Sequence, residues 1–531
     1  MGADAVTADW LFRGTVRTMD AARPRSHALA IRAGRVVALG DGAEALAGAR
    51  TRVVELGERA LLPGFHDAHV HLAAHGLELA QLDLRAAASP EALLTLVAER
   101  AATLEAGAWL LGSGFALERL GLARIGAAEA DALERAAAGH PVALRSQDHH
   151  SLWGNRTALR LAGVTRETTD PAEGVIERDA DGEPTGLLLE RAMELLAPHL
   201  PEPDADELAA ALARGGADLA ARGVTTVHSM AFEPAAFWRA TADAASREDY
   251  PVRVWACVDQ QDIEHAAELG LATGQGGAQF SVGGAKFFAD GALGSLTAWM
   301  LEPYAGRAGD VGVAVDGPEV LAQRLPLAVR AGLTPVVHAI GDAANRAVLD
   351  ALEATAPQWR GVGLRPRIEH AQHLHPDDVP RFGALGVVAS AQPLHLTFDV
   401  PTVLRTLPDR RGRAYPFASL LTAGAVVAFG SDTPVAEPDV LAALRAAVRR
   451  EGVDGTVLEP AERLTLEQAL RATTVGAAYA IGREGRSGRL APGFDADLVV
   501  LSHDPDDGLD DLAVVATFKA GAPTFGEDAL G

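Results

Sequence analysis

His69 and His71 stand two residues apart at the end of the run Leu62-Pro63-Gly64-Phe65-His66-Asp67-Ala68-His69-Val70-His71-Leu72. In an extended strand residues i and i+2 point to the same face. The two imidazoles would then stand side by side, a geometry that suits two ligands on one metal ion. A His-x-His pair on its own carries little weight, because such pairs recur by chance. Its meaning depends on whether the chain supplies partners in a matching register.

The elements that would position such partners form a series. From Asp206 onward the chain alternates helix and strand, with strand candidates at 224–228, 252–257, 283–288, 334–338, 367–370, 387–392 and 426–431. The strand before His69 makes eight. Most lie roughly thirty residues apart, the size of a βα unit. Intervening segments such as 318–330 and 342–354 carry apolar residues at helical spacing. Eight such units point to a (β/α)8 TIM barrel, an α/β fold whose chemistry sits where the strands end at the C-terminal mouth.

The rest of the chain frames that barrel. The segments 28–32 and 35–40, joined by Ala33-Gly34, read as a hairpin, and 51–56 adds a strand. The turn and apolar run at 488–501 and a last strand at 514–518 repeat this texture. Residues 1–62 and 480–531 are therefore expected to pair into a small composite β-domain, since chain ends often lie close together. Residues 63–479 would be the barrel. Within it, 75–200 breaks the alternation, with strand-like 108–114 and 141–145, and reads as an insertion after strand 1 over the active-site mouth.

The polar residues at the strand ends test the histidine pair. Strand 4 carries Lys286, strand 5 ends at His338, strand 6 ends Arg367-Ile368-Glu369-His370, and strand 8 runs into Gly430-Ser431-Asp432. With His69 and His71 these fall at the mouth of strands 1, 4, 5, 6 and 8, a joint pattern far more specific than any one member. Each residue has an alternative in isolation. His338 or His370 could be a core histidine satisfied by a backbone carbonyl, and Asp432 could cap the loop before Thr433-Pro434.

These motifs, with His338-Ala339-Ile340-Gly341-Asp342, Lys286-Phe287-Phe288-Ala289-Asp290-Gly291, Gly430-Ser431-Asp432-Thr433-Pro434 and the tail 488–498, resemble the amidohydrolase superfamily over essentially the whole length. Within it the chain is most similar to the branch that includes the N-substituted formamide deformylases. The resemblance implies a barrel, a β-sandwich from both chain ends and a long insertion after strand 1. It also implies that His69, His71 and Asp432 hold one metal and that His338 and His370 hold a second. Lys286 would bridge them as a carbamate formed with carbon dioxide, since an ammonium between two cations is electrostatically untenable. A hydroxide shared by two divalent ions is a strong nucleophile at neutral pH. Asp432 would take the proton of the attacking water and pass it to the departing nitrogen. The alternative for Lys286 is an ordinary lysine on substrate or a carboxylate, which leaves a one-metal site. Zinc is the default metal, although iron, manganese and nickel suit the same donors.

Further polar residues are candidates for substrate. In Asp148-His149-His150-Ser151-Leu152-Trp153, His150 matches a family position that lies over the site and could orient substrate or stabilise an oxyanion; a surface histidine is the alternative. Gln392 and His395 leave strand 7, His228 ends strand 2, and Asp290 could anchor the loop after strand 4. Trp153 and Trp299 could wall an apolar pocket, with core packing as the alternative. His66 points away from His69 and reads as structural. His373 and His375, beyond strand 6, read as surface residues.

Composition bounds the partners. A net charge of −24, from 47 basic and 71 acidic residues, argues against nucleic acid or an anionic membrane. The single cysteine, Cys257, lies in an apolar run and excludes an intrachain disulfide. The start of the chain lacks signal-peptide character and no run of about eighteen apolar residues occurs, so a cytoplasmic location is expected. A small-molecule substrate and, on base rates, a homodimer are expected. The leading reading is a hydrolase of a non-peptide carbon–nitrogen bond of amide or formamide type. A mononuclear deaminase or cyclic-amide hydrolase is the alternative, and an inactive binding protein on the same fold is a third. No Gly-x-Gly-x-x-Gly turn after a first strand and no Walker-type loop is seen.

Overall fold

The computed structural model describes residues 7–147, 151–171, 174–231 and 235–530. They fall into two compact units, residues 1–73 with 212–531, and residues 74–211.

The larger unit is built on eight parallel strands, β1 (Phe65–Val70), β2 (Val224–Ser229), β3 (Arg253–Asp259), β4 (Phe280–Phe288), β5 (Pro335–Ala339), β6 (Arg367–His370), β7 (Val388–Ala391) and β8 (Val427–Phe429). They pair in sequence order, each hydrogen-bonded to the next. Every residue of β1, β2, β6, β7 and β8 is buried. Parallel strands covered on both faces read as apolar runs for this reason. The strand limits shift from the expected ones by up to three residues. The largest shift is at β4, which begins at Phe280, three residues earlier, and β8 stops at Phe429, after which Gly430 still donates its N–H to the Ala391 carbonyl of β7 before the chain reaches the seam.

Closure occurs at the seam between β1 and the segment after β8. Val70 bridges Thr433 in parallel, the Asp432 N–H donates to the His69 carbonyl at 2.7 Å, and the His71 N–H donates to the Thr433 carbonyl at 2.8 Å. Outside the strands, helices bury one face. In Pro318–Arg330, for example, Leu321, Leu325, Ala328 and Val329 are buried at helical spacing after a proline in the first turn. A continuous apolar core joins strands to helices.

Both chain ends supply a seven-stranded sheet. Arg25–Arg32 and Arg35–Leu39 form the expected hairpin around Ala33-Gly34, both at positive φ. The strand Arg52–Pro63 is longer than expected and pairs with Leu498–Leu501 from the far end of the chain. In its core Phe518 meets Trp10 and Phe12 edge to face, and the Trp10 and Phe12 rings stack.

Residues 74–211 carry their own six-stranded sheet, with Leu110–Phe115 and Val142–Ser146 adjacent and parallel. Trp153 lies in this unit's core, 2% exposed, its ring 6.1 Å from that of Phe115. That is the packing reading of Trp153, and it corrects the pocket-wall one.

Candidate metal centre

The site begins at the barrel seam. Gly430 passes so close to β1 that a Cβ there would lie 2.4 Å from the His69 nitrogen. Only a glycine admits that approach. Asp67, buried beneath, accepts N–H groups from Ser431 at 2.8 Å and His69 at 3.2 Å. Burial lifts its carboxyl to about 6 against those hydrogen bonds. Asp432 follows with φ at 63°, in the left-handed region that aspartate tolerates better than most residues. This turn brings Asp432 Oδ1 to 3.3 Å from His69 Nε2 and 3.5 Å from His71 Nε2. One donor atom from each of the three lies within 4.8 Å of the others.

A second group meets the same carboxylate. His370 ends β6 with φ at 71°. Left-handed backbone at two non-glycine residues of one site is strain of the kind that concentrates at functional centres. The His370 ring centre is 5.1 Å from that of His69, 4.4 Å from His338 and 5.9 Å from His395. His370, His395 and Asp432 form a second set of donors within 4.8 Å of one another. His395 lies in the first turn of the helix Pro393–Thr406, its Nε2 3.8 Å from Asp432 Oδ2. His338 directs Nε2 to the Gly291 carbonyl at 3.1 Å, so Nδ1 is the ring atom left for a ligand.

Lys286 comes from β4, 1% exposed, with Nζ 4.7 Å from the centre of the Phe288 ring. Its Nζ has no hydrogen-bond partner among the described residues, and neither has His370 Nδ1 or His395 Nε2. Burial lowers the lysine against the pull of Glu369 and Asp432. Burial also lowers the imidazoles, His69 to about 4, His338 to about 3 and His370 well below its usual range. Burial alone would raise Asp432, but the His69 ring and the His71 hydrogen bond hold it well below the carboxylate range. Neutral imidazoles, an ionised carboxylate and a neutralisable amine are the protonation states that cation binding requires. Buried polar atoms left without partners call for an occupant. The donor set therefore fits divalent metal.

His69, His71, Lys286, His338, His370 and Asp432, expected from register, are thus brought together. The other candidates are placed as follows. His395 joins the centre. Gln392 is 1% exposed at the start of the same helix, and its Nε2 has no partner among the described residues. Asp290 accepts backbone N–H groups from Gly341 at 2.7 Å, Trp299 at 2.9 Å and Ile340 at 3.0 Å. It anchors loops, and burial raises its carboxyl to about 7. His228 is fully buried inside the barrel, its Nδ1 accepting from Arg367 Nη1 at 2.9 Å. Cys257 is buried in β3. His373 corrects the surface reading: it is 1% exposed, its backbone tied to the Ile340 carbonyl. His150, with Asp148 and His149, lies outside the described residues.

Two residues that sequence reasoning passed over are Glu369 and Arg367, both fully buried. Glu369 Oε2 lies 2.7 Å from His69 Nδ1, and Arg367 holds both oxygens of Glu369. Their signal was available. Two opposite charges at i and i+2 within a strand expected to be buried on both faces need a partner inside the barrel.

Comparison with known proteins identifies the family. A family model described as the amidohydrolase family matches residues 52–525. The protein LONG AFTER FAR-RED 3 of Arabidopsis thaliana is 35% identical over 551 aligned residues, covering 98% of this chain and 92% of that one. An N-substituted formamide deformylase of Arthrobacter pascens is 28% identical, covering 96% and 97%. The crystal structure of a metal-dependent hydrolase from Pyrococcus horikoshii superposes with a TM-score of 0.76 at 26% identity, over 93% of this chain and 98% of that one.

Proposed function

The chain belongs to the amidohydrolase family, and we propose that it hydrolyses a carbon–nitrogen bond, other than a peptide bond, in an amide- or formamide-type small molecule. The observation that carries this reading is the convergence of His69, His71, His338, His370 and Asp432, with the buried Lys286, which interacts electrostatically with Asp432 and whose Nζ has no hydrogen-bond partner among the described residues. The name of the Arthrobacter relative points to the same bond type.

His69, His71 and Asp432 would hold one ion, His338 and His370 a second, with Lys286 between them as a carbamate. When bound, divalent ions such as zinc make a nucleophile of water at neutral pH and polarise the scissile carbonyl. The chain's own residues do the rest. Lys286, whose charged form burial disfavours, would as the free amine add its nitrogen lone pair to carbon dioxide, forming an N–C bond and releasing one proton, which turns an amine into an anionic ligand. Asp432, held ionised, takes a proton from the attacking water and delivers it to the departing nitrogen. His395, beside Asp432, and Gln392, three residues before His395, would orient the substrate.

Elemental analysis of protein purified without chelator or added metal tests this reading, together with turnover of an N-substituted formamide panel. Close to two metals per chain with amide or formamide hydrolysis supports it. Close to one metal would assign Lys286 to substrate or structure and favour the mononuclear deaminase or cyclic-amide hydrolase. No metal and no rebinding would sink the hydrolase reading.

A further inference from the structure

Behind the first metal position, the barrel interior holds a buried ionic group that the proposed reaction does not use. Glu369 and Arg367 are both fully buried. Arg367 spans the interior, donating to both oxygens of Glu369, to His228 Nδ1 at 2.9 Å, to Ser390 Oγ at 2.8 Å and to the Ala68 carbonyl. The Arg367 guanidinium lies 5.6 Å from the centre of the Trp255 ring. Apolar residues of similar volume in such a place are often as stabilising as a buried ion pair, or more so, so stability alone is a weak reason for these charges.

Their contact with His69 supplies a better reason. Glu369 Oε2 lies 2.7 Å from His69 Nδ1, across the barrel from β6 to β1, while His69 Nε2 is 3.3 Å from Asp432 Oδ1. An ionised carboxylate can only accept, so the proton of the imidazole sits on Nδ1 and the lone pair on Nε2. We propose that Glu369 is a positioning residue for the first metal: it takes the Nδ1–H of His69, fixes Nε2 as the ligand atom and makes that nitrogen a stronger donor, with Arg367 locking the carboxylate in place. The inference rests on the metal reading above. Outer partners of this kind commonly change metal affinity by about 10–100-fold.

The test is Glu369→Gln, stripped of metal and titrated with zinc against a chelator. The dissociation constant of the tighter zinc is expected to rise about 10–100-fold. The gain in thermal midpoint that zinc confers should shrink with it. A residue that merely braces β1 against β6 would lower the stripped and loaded midpoints together and leave the zinc constant unchanged; that result overturns the proposal. The double variant Arg367→Met/Glu369→Gln leaves no unpaired buried cation and carries the same expectations should the single variant fail to fold. In wild-type protein labelled with 15N-histidine, His69, assigned by its loss in His69→Asn, should carry its proton on Nδ1. A proton on Nε2 overturns the proposal without any change at Glu369. If wild-type protein takes up no zinc, the metal reading fails as well; if it does and the folded variants bind equally tightly, only the role of Glu369 fails.

Discussion

Asp432 donates its backbone N–H to the carbonyl of His69 at 2.7 Å and presents its carboxylate to the same residue's Nε2 at 3.3 Å. The two residues that close the barrel are therefore the two that face each other across the proposed metal site. Closure and ligand geometry are one structural fact, and several measurable consequences come from it.

Gly430→Ala places a methyl group 2.4 Å from the His69 nitrogen and 2.8 Å from its Cβ, against backbone that cannot retreat without opening the seam. Overpacking of this kind costs about 1–3 kcal/mol. Thermal denaturation of the stripped protein should show the loss, and elemental analysis should show reduced metal. A variant with wild-type midpoint and wild-type metal content would mean that the seam does not set the ligand geometry.

Asp432→Asn keeps the left-handed backbone, since asparagine also tolerates positive φ, but removes the proton acceptor. The fold should be retained while kcat falls by about 100–10,000-fold, the usual contribution of a positioned acid–base group. Circular dichroism together with turnover on a formamide substrate checks this. Activity within a few fold of wild type would remove Asp432 from the proton-transfer role.

Lys286→Met replaces a buried amine, without a hydrogen-bond partner among the described residues, by an apolar chain of similar length. Burying an uncompensated polar group is costly. The stripped variant should therefore melt at or above the wild-type midpoint, and metal content should fall by one ion per chain. Retention of the full complement would show that Lys286 is no bridging ligand.

His373 and His66 give the stripped protein an acid limit. Burial lowers them to about 4 and about 3, against about 6.5 in an unfolded chain. Between those values the unfolded state binds more protons, so stability is complete above about pH 6.5 and falls as pH drops toward 4. Each group contributes a slope of at most about 1.4 kcal/mol per pH unit. Urea denaturation at pH 7, 6 and 5 should show the decline. His373→Asn should flatten it by about one proton, and an unchanged slope would mean that His373 protonates freely in the folded state.

Much of this architecture is legible in the sequence because parallel barrel strands, buried on both faces, read as apolar runs that end in polar residues at one rim. His338, His370 and Asp432 could be expected from that register alone. What escaped was whatever depends on contacts across the barrel. Glu369 and Arg367 look like ordinary strand charges until β6 is set opposite β1 and β2. Gly430 looks like a turn residue until His69 is seen against it. His373, three residues past His370, looks exposed because a loop position says nothing about the Ile340 carbonyl that captures it. The packing of Trp153 belongs to a sheet whose order no local pattern encodes.

The seam also fixes when the site can exist. Asp67 and Ser431, which meet beneath it, are 364 positions apart along the chain. At about 5–20 residues per second, synthesis separates His69 from Asp432 by roughly 20–70 s. On the proposed reading, the nascent chain during that interval holds the histidine pair without Asp432, so chains cut short before β8 are expected to bind metal more weakly than the finished protein and to lack turnover.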